Sequence, residues 1–233
     1  MLFYICEADY WRAKMIKKIS DFIKEHIDFK FYTVSIIALL VGLSIIPMLM
    51  YLPQKYGFEN GLLENIQMAV LFIMVYLCAT SKVNKKFFNF CILVLSILII
   101  REVNCGRTLF FPIPGEYHKY YSWRALPWPW LGKVVHGIYG TWIAIVGLIF
   151  LKKQIYLDLW QMIKKIRFPF WNILFACIAM YMGAIAEKLT NNNFIFEEGF
   201  ELLFYVSLLG LIWLYSRNKN FILDNNETEN PQE

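Results

Sequence analysis

Charge is scarce in this sequence: only 18% of its 233 residues are Asp, Glu, Lys or Arg, where a soluble domain carries about a quarter. That shortage, with 58% apolar and 18% aromatic residues, excludes a soluble globular enzyme and a disordered chain. Histidine is rarer still. His26, His118 and His136 stand far apart, with no His-x-x-x-His or His-Glu-x-x-His arrangement, so no local motif supplies a zinc site. Cys6, Cys78, Cys91, Cys105 and Cys177 show no close pair and no metal-type spacing, which excludes a secreted disulfide scaffold. A Gly-rich phosphate loop and a dinucleotide fingerprint are also missing, so the sequence names no cofactor.

What is present is a series of apolar runs near the roughly 18 residues that a bilayer requires. Six are read, at 31–52, 62–81, 87–103, 134–151, 169–187 and 197–215. The expected fold is all-α, a polytopic six-helix transmembrane bundle with two interfacial amphipathic helices on the cytoplasmic side. It divides into an amphipathic N-terminal segment (1–30), a six-span domain (31–216) and a cytoplasmic tail (217–233). The spanning domain includes a long outer loop (104–133) and an inner amphipathic segment (152–168). The tail, Asn-rich and acidic, is expected to be disordered.

Basic residues near span ends are retained in the cytoplasm, and here they divide unevenly. Residues 1–30, 82–86, 152–168 and the tail hold 16 of the 23 Lys and Arg. Both termini are therefore expected to be cytoplasmic, in a bacterial inner membrane. Met15, Ile19, Phe22 and Ile23 share one helical face, with Lys14, Lys17, Lys18, Asp21, Lys24 and Glu25 largely opposite. Ile155, Leu159, Met162, Ile163 and Ile166 oppose Asp158, Lys164 and Lys165 in the same way. Both segments read as helices lying along the inner leaflet, whose anionic lipids attract basic residues. Topology accounts for the basic residues, so nucleic-acid binding is not expected.

Ionisable groups in hydrocarbon are costly unless paired or hydrated, yet several recur at one depth. Near the expected outer ends stand Glu64 and Gln67, then Arg101, Glu102 and Asn104, His136 and Tyr139, and finally Glu198 and Glu201. Glu64 and Gln67 are three apart, as are His136 and Tyr139 and also Glu198 and Glu201, while Glu201 and Tyr205 are four apart. Each pair therefore shares a helix face. Glu201, about one turn inside its span, needs a partner, and Arg101 is the favoured one, followed by Arg107. The loop above holds Arg107, His118 and Arg124 among Trp123, Trp128, Trp130, Tyr117, Tyr120 and Tyr121. Its prolines rule out one long helix; it reads as an aromatic belt or as a lid over a polar pocket.

The Glu64-Asn65 pair is similar to the acid-Asn element of membrane hydrolases of the alkaline ceramidase type. Those enzymes surround a metal with several histidines, including a His-x-x-x-His pair that this chain lacks, so no residue role is carried over. From the residues themselves, the first expectation is a membrane-embedded hydrolase or transferase acting on a lipid or lipid-linked substrate. Glu201 or Glu198 would act as general base, His136 as proton carrier, and Glu64 and Glu102 as orienting groups. Arg101, Arg107, Asn104, Tyr139 and Arg124 would hold the substrate. The alternatives are a small transporter or ion-coupled permease and a non-catalytic accessory or scaffold subunit. The last draws on Gly137, Gly140, Gly147, Gly183 and Ala184, which permit close helix contact. Membrane lipids are the expected partners.

Overall fold

The computed structural model describes residues 2–58, 61–113, 116–128, 130–189 and 194–217, and among these the chain is mostly helical. Helix α1 (Leu2–His26) and strand β1 (Ile27–Asp28) precede α2 (Thr33–Tyr51), a 3-10 turn (Gln54–Gly57), α3 (Leu62–Thr80) and α4 (Lys85–Glu102). A 3-10 turn (Asn104–Gly106), the one-turn α5 (Arg107–Phe110), β2 (Pro112–Ile113) and β3 (Glu116–Tyr120) occupy the long loop. Then come α6 (Leu131–Lys152), α7 (Ile155–Lys165), β4 (Phe168–Pro169), α8 (Phe170–Leu189) and α9 (Phe194–Arg217). The tail expected to be disordered lies outside the described residues, apart from Arg217.

Four helical stretches among the described residues are long and apolar enough to cross a bilayer: Thr33–Tyr51, Gln54–Thr80, Leu131–Lys152 and Phe194–Arg217. A fifth appears if α4 and the Asn104–Phe110 stretch, bent by 53°, form one span. The sequence reading made 87–103 a span in its own right. Alone, α4 falls short because Lys85, Lys86, Arg101 and Glu102 all sit on its 18 residues. Segment 169–187 is helical too, but its apolar stretch Phe170–Ala186 is shorter than the other spans.

Helix α9 is the hub on which α8, α2 and α3 pack; α4 packs on α3, and α6 rides on α4. Lipid tails are as apolar as Leu, so close packing and polar pairs hold such helices together. Ala38, Ile45, Leu71, Met74 and Leu203 are buried along the hub. A buried polar group joins three helices: the Ser35 hydroxyl donates to Asn172 Oδ1 at 2.5 Å, and Asn172 Nδ2 donates to the Ser207 carbonyl at 3.5 Å. Gly57 lies against α9 so closely that a Cβ would stand 2.6 Å from the Ile195 nitrogen. Cys78 and Cys91, distant in sequence, come within hydrogen-bonding reach across α3 and α4, and both are free thiols.

At the end of the bundle where α2 and α8 begin, β1 and β4 pair in parallel, Ile27 opposite Phe168 and Asp28 opposite Pro169. Asp28 accepts the Tyr32 hydroxyl at 2.6 Å, and Trp171 Nε1 donates to the Phe29 carbonyl at 2.9 Å. Burial, then the Asp28 carboxylate, pushes the Tyr32 pKa up to about 12. Helix α6 is the outlier of the fold, with only 6% of its apolar window buried. Tyr139 Oη donates to the Ile97 carbonyl at 3.4 Å and Trp142 Nε1 to Ser96 Oγ at 3.0 Å, tying it to α4.

Candidate functional site

Helices α3 and α9 run parallel to each other and α4 runs antiparallel to both, which sets the start of α3, the end of α4 and the start of α9 at one end of the bundle. Acids near a helix N-terminus and a base near a C-terminus suit the helix dipoles. Glu64 lies in the first turn of α3, Arg101 in the last turn of α4, and Glu198 and Glu201 in the early turns of α9.

Arg101 Nη2 meets Glu201 Oε1 at 2.6 Å and Glu102 Oε1 at 3.2 Å, so one nitrogen bridges two carboxylates. The Arg101–Glu201 pair is the one that helix position suggested. Glu102 Oε1 also accepts the Tyr205 hydroxyl at 2.5 Å. Gln67 Nε2 donates to Glu198 Oε2 at 2.8 Å and to the Glu198 carbonyl at 2.9 Å. Glu64, Glu102 and Glu201 all lie within electrostatic reach of Glu198. Gln67 is fully buried, Glu64 is 7% exposed and the Glu102 side chain 6%, whereas the Arg101 side chain is 51% exposed. The cluster is therefore closed on the α3 side and open at the guanidinium. Gln67 Oε1 is buried and accepts no hydrogen bond from the described residues.

A second group forms where the chain leaves α4. Asn104, Cys105 and Gly106 all have positive φ, at 49°, 56° and 84°, which turns the backbone sharply into α5. Asn and Gly tolerate this conformation; Cys105 stands there under strain. Asn104 Nδ2 donates to Tyr120 Oη at 3.2 Å, and the Arg107 guanidinium stacks 4.1 Å above the Tyr120 ring. The β2–β3 hairpin pairs Pro112 with Tyr120, so the loop is not one long helix.

His136 does not join the acids. Its ring packs edge-on to Trp123, 6.0 Å between centroids, and it forms no hydrogen bond or ion pair with Glu64, Glu102, Glu198 or Glu201. Helix α6 packs on α4 and α7 rather than on the hub α9, which carries His136 to the loop side. Tyr139 is spent on the Ile97 carbonyl, and Arg124 is exposed on the loop. The side chain of His118 lies outside the described residues. Among the described residues, no set of three or more His, Cys, Asp or Glu is arranged to hold a metal ion.

Sequence reasoning set Gln67 and Tyr205 on the right faces but left them out of the candidate site. The signal was their helical spacing from Glu64 and Glu201. It missed the Ser35–Asn172–Ser207 group altogether; a lone Asn in the apolar run from Phe168 was the available clue. Compared with protein-family models, curated proteins and solved structures, the chain matches none of them.

Proposed function

We propose that this chain is a six-span protein of a bacterial inner membrane with cytoplasmic termini. We further propose that its acid-rich end faces outward and acts as a hydrolase or transferase on a lipid or lipid-linked substrate. In this reading α4 and α8 are the two spans added to the four apolar ones, and α1 and α7 lie along the inner leaflet. The uneven division of Lys and Arg supports the orientation. Met15, Ile19 and Phe22, more than half exposed in the chain by itself, support an interfacial α1.

One observation carries the enzymatic reading: a half-exposed guanidinium bridges Glu102 and Glu201 beside a third carboxylate, Glu198, held by the Gln67 amide. A guanidinium has five N–H donors, and Nη2 alone serves the two acids, leaving the rest of the fork for an anionic headgroup. Glu198, partnered by a neutral amide, is suited to take and return a proton. Glu102 and Glu201 orient Arg101, and Glu64 closes the pocket behind Glu198. Asn104 and Arg107 follow Arg101 in the chain and meet the substrate from the loop. His136 is given no chemical role.

The test is incubation of the purified protein with labelled lipid and lipid-linked substrates, with products read by mass spectrometry. Turnover by the native chain should fall about 100-fold or more in Glu198→Gln, the scale of a lost general base. Arg101→Gln should mainly raise KM. Full turnover in both variants, or none by the native chain across the panel, would end the enzymatic reading. Cysteine labelling from either side of the membrane, at positions 14 and 219, tests the orientation separately.

One observation favours the accessory-subunit alternative. On α6, a Cβ added at Gly137, Gly140 or Gly147 would meet nothing within 4 Å, a surface that a partner helix could approach closely. No such observation favours a transporter, because Leu71, Met74 and Leu203, beneath the acid cluster, are buried and apolar.

A further inference from the structure

The end of the bundle opposite the acids contains a cavity of about 400 Å³ between α4, α6, α7 and α9. Its walls include Cys91 and Leu95 of α4, Phe150 of α6, Leu159 and Met162 of α7 and Leu211 of α9. The lining is apolar throughout and the slot is half open along the bundle surface, so an apolar ligand can enter it from the side. A cavity of about 150 Å³ admits benzene, and ligand sites begin near 300 Å³. The volume, between two and three times that of the benzene cavity, fits a flexible hydrocarbon chain.

The cavity exists because of how α7 is set. Gln154, at φ 52°, reverses the chain after α6, and Ile155 is then fully buried. From there Leu159, Met162 and Ile166 follow at helical spacing along the wall, the same face that stands out as apolar in the sequence. Asp158, flanking that face of α7, anchors the helix to α4 through Lys86 Nζ at 2.8 Å.

Basic residues adjoin the wall residues in sequence. Lys85 and Lys86 precede Phe87, Lys152 and Lys153 stand just before Ile155, and Arg167 precedes Phe168; all five are exposed. The Lys86 side chain is 46% exposed despite its bond to Asp158, so its ammonium retains donors for a second anion. An apolar slot beside a basic collar matches a phosphodiester joined to a hydrocarbon chain, and the collar favours an anionic lipid over a zwitterionic one.

We propose that this cavity binds one acyl chain of an anionic phospholipid, with the lipid phosphate held by Lys85, Lys86 and their basic neighbours. The site is separate from the acid cluster, and its success or failure is independent of any turnover there.

The experiment uses the full chain, delipidated in detergent, titrated with dioleoyl phosphatidylglycerol or dioleoyl phosphatidylcholine and read by native mass spectrometry. One phosphatidylglycerol per chain should be retained, at least tenfold more tightly than phosphatidylcholine. Leu159→Trp and Met162→Trp, which fill the slot, should each weaken retention of either lipid at least tenfold, with helix content checked by circular dichroism. The double change Lys85→Gln and Lys153→Gln, which spares the Lys86–Asp158 bond, should leave the slot intact and narrow the preference for phosphatidylglycerol at least threefold. Equal retention of both lipids by the native chain, or unchanged retention in the properly folded Trp variants, would overturn the proposal.

Discussion

Replacing Arg101 with Gln should destabilise the bundle in a way that depends on Glu201. The Nη2 bonds at 2.6 and 3.2 Å are charge-assisted, and such bonds contribute about 1.5–3 kcal/mol. Breaking a fully buried pair costs about 3–5 kcal/mol, while exposed pairs lie near 0–1 kcal/mol. Arg101 is 51% exposed but its partners Glu201 and Glu102 only 27% and 6%, which sets the expectation between those limits, at about 2 kcal/mol. Glu201→Gln should cost about half as much, because Arg101 keeps Glu102 and the like-charge contact between the two acids is relieved. The double variant should be less destabilised than the sum of the singles, with a coupling of about 1 kcal/mol. Reversible unfolding of the full chain in mixed micelles, followed by tryptophan fluorescence and circular dichroism, measures all three. A coupling below about 0.3 kcal/mol, the scatter expected of independent sites, would refute the view that this contact helps to hold α4 against α9.

Asn172→Ala should remove the links from α8 to Ser35 and Ser207 and cost about 1 kcal/mol, the scale of interhelical hydrogen bonds in membranes; the same unfolding assay reads it, and no loss would mean that the group is not structural. Gly57→Ala should cost about 1–3 kcal/mol as an overpacking change, since its Cβ would meet the backbone of Ile195 and Phe194 at 2.6 and 2.7 Å; an unaffected variant would show that this approach is looser than drawn. The raised Tyr32 pKa, from 10.0 to about 12, means that its contribution is present below pH 10 and is lost as pH rises toward 12. Tyr32→Phe should therefore flatten the alkaline limb of a stability–pH profile, and an identical limb would separate that loss from this residue.

Much of the candidate site was legible in advance because helical spacing is local information. Glu198, Glu201 and Tyr205 occupy neighbouring faces of α9 by arithmetic alone. The depth of Glu201 called for a cation, and Arg101 stood at the matching level. The same reasoning misplaced His136, because equal depth does not imply contact. Whether α6 leans on α9 or on α4 depends on side chains such as Trp142 and Phe150 meeting Ser96 and Phe90, and no periodicity within α6 announces that choice. The count of spans is hardest to read where charge enters an apolar run, and α4 shows why: its last residues belong both to a helix end and to the polar cluster.

By itself the sequence determined that this is a chain of apolar helices able to cross a membrane, because the free energy of placing a segment in hydrocarbon is summed over its own residues. It also set which acids share a helix face, since that follows from 3.6 residues per turn. The tertiary structure alone decided that α9 is the hub, that one guanidinium joins Glu102 to Glu201, and that α7 leaves an apolar slot at the basic end. Those features arise from contacts between residues up to 100 or more positions apart, such as Arg101 with Glu201, and they depend on packing that no single helix encodes.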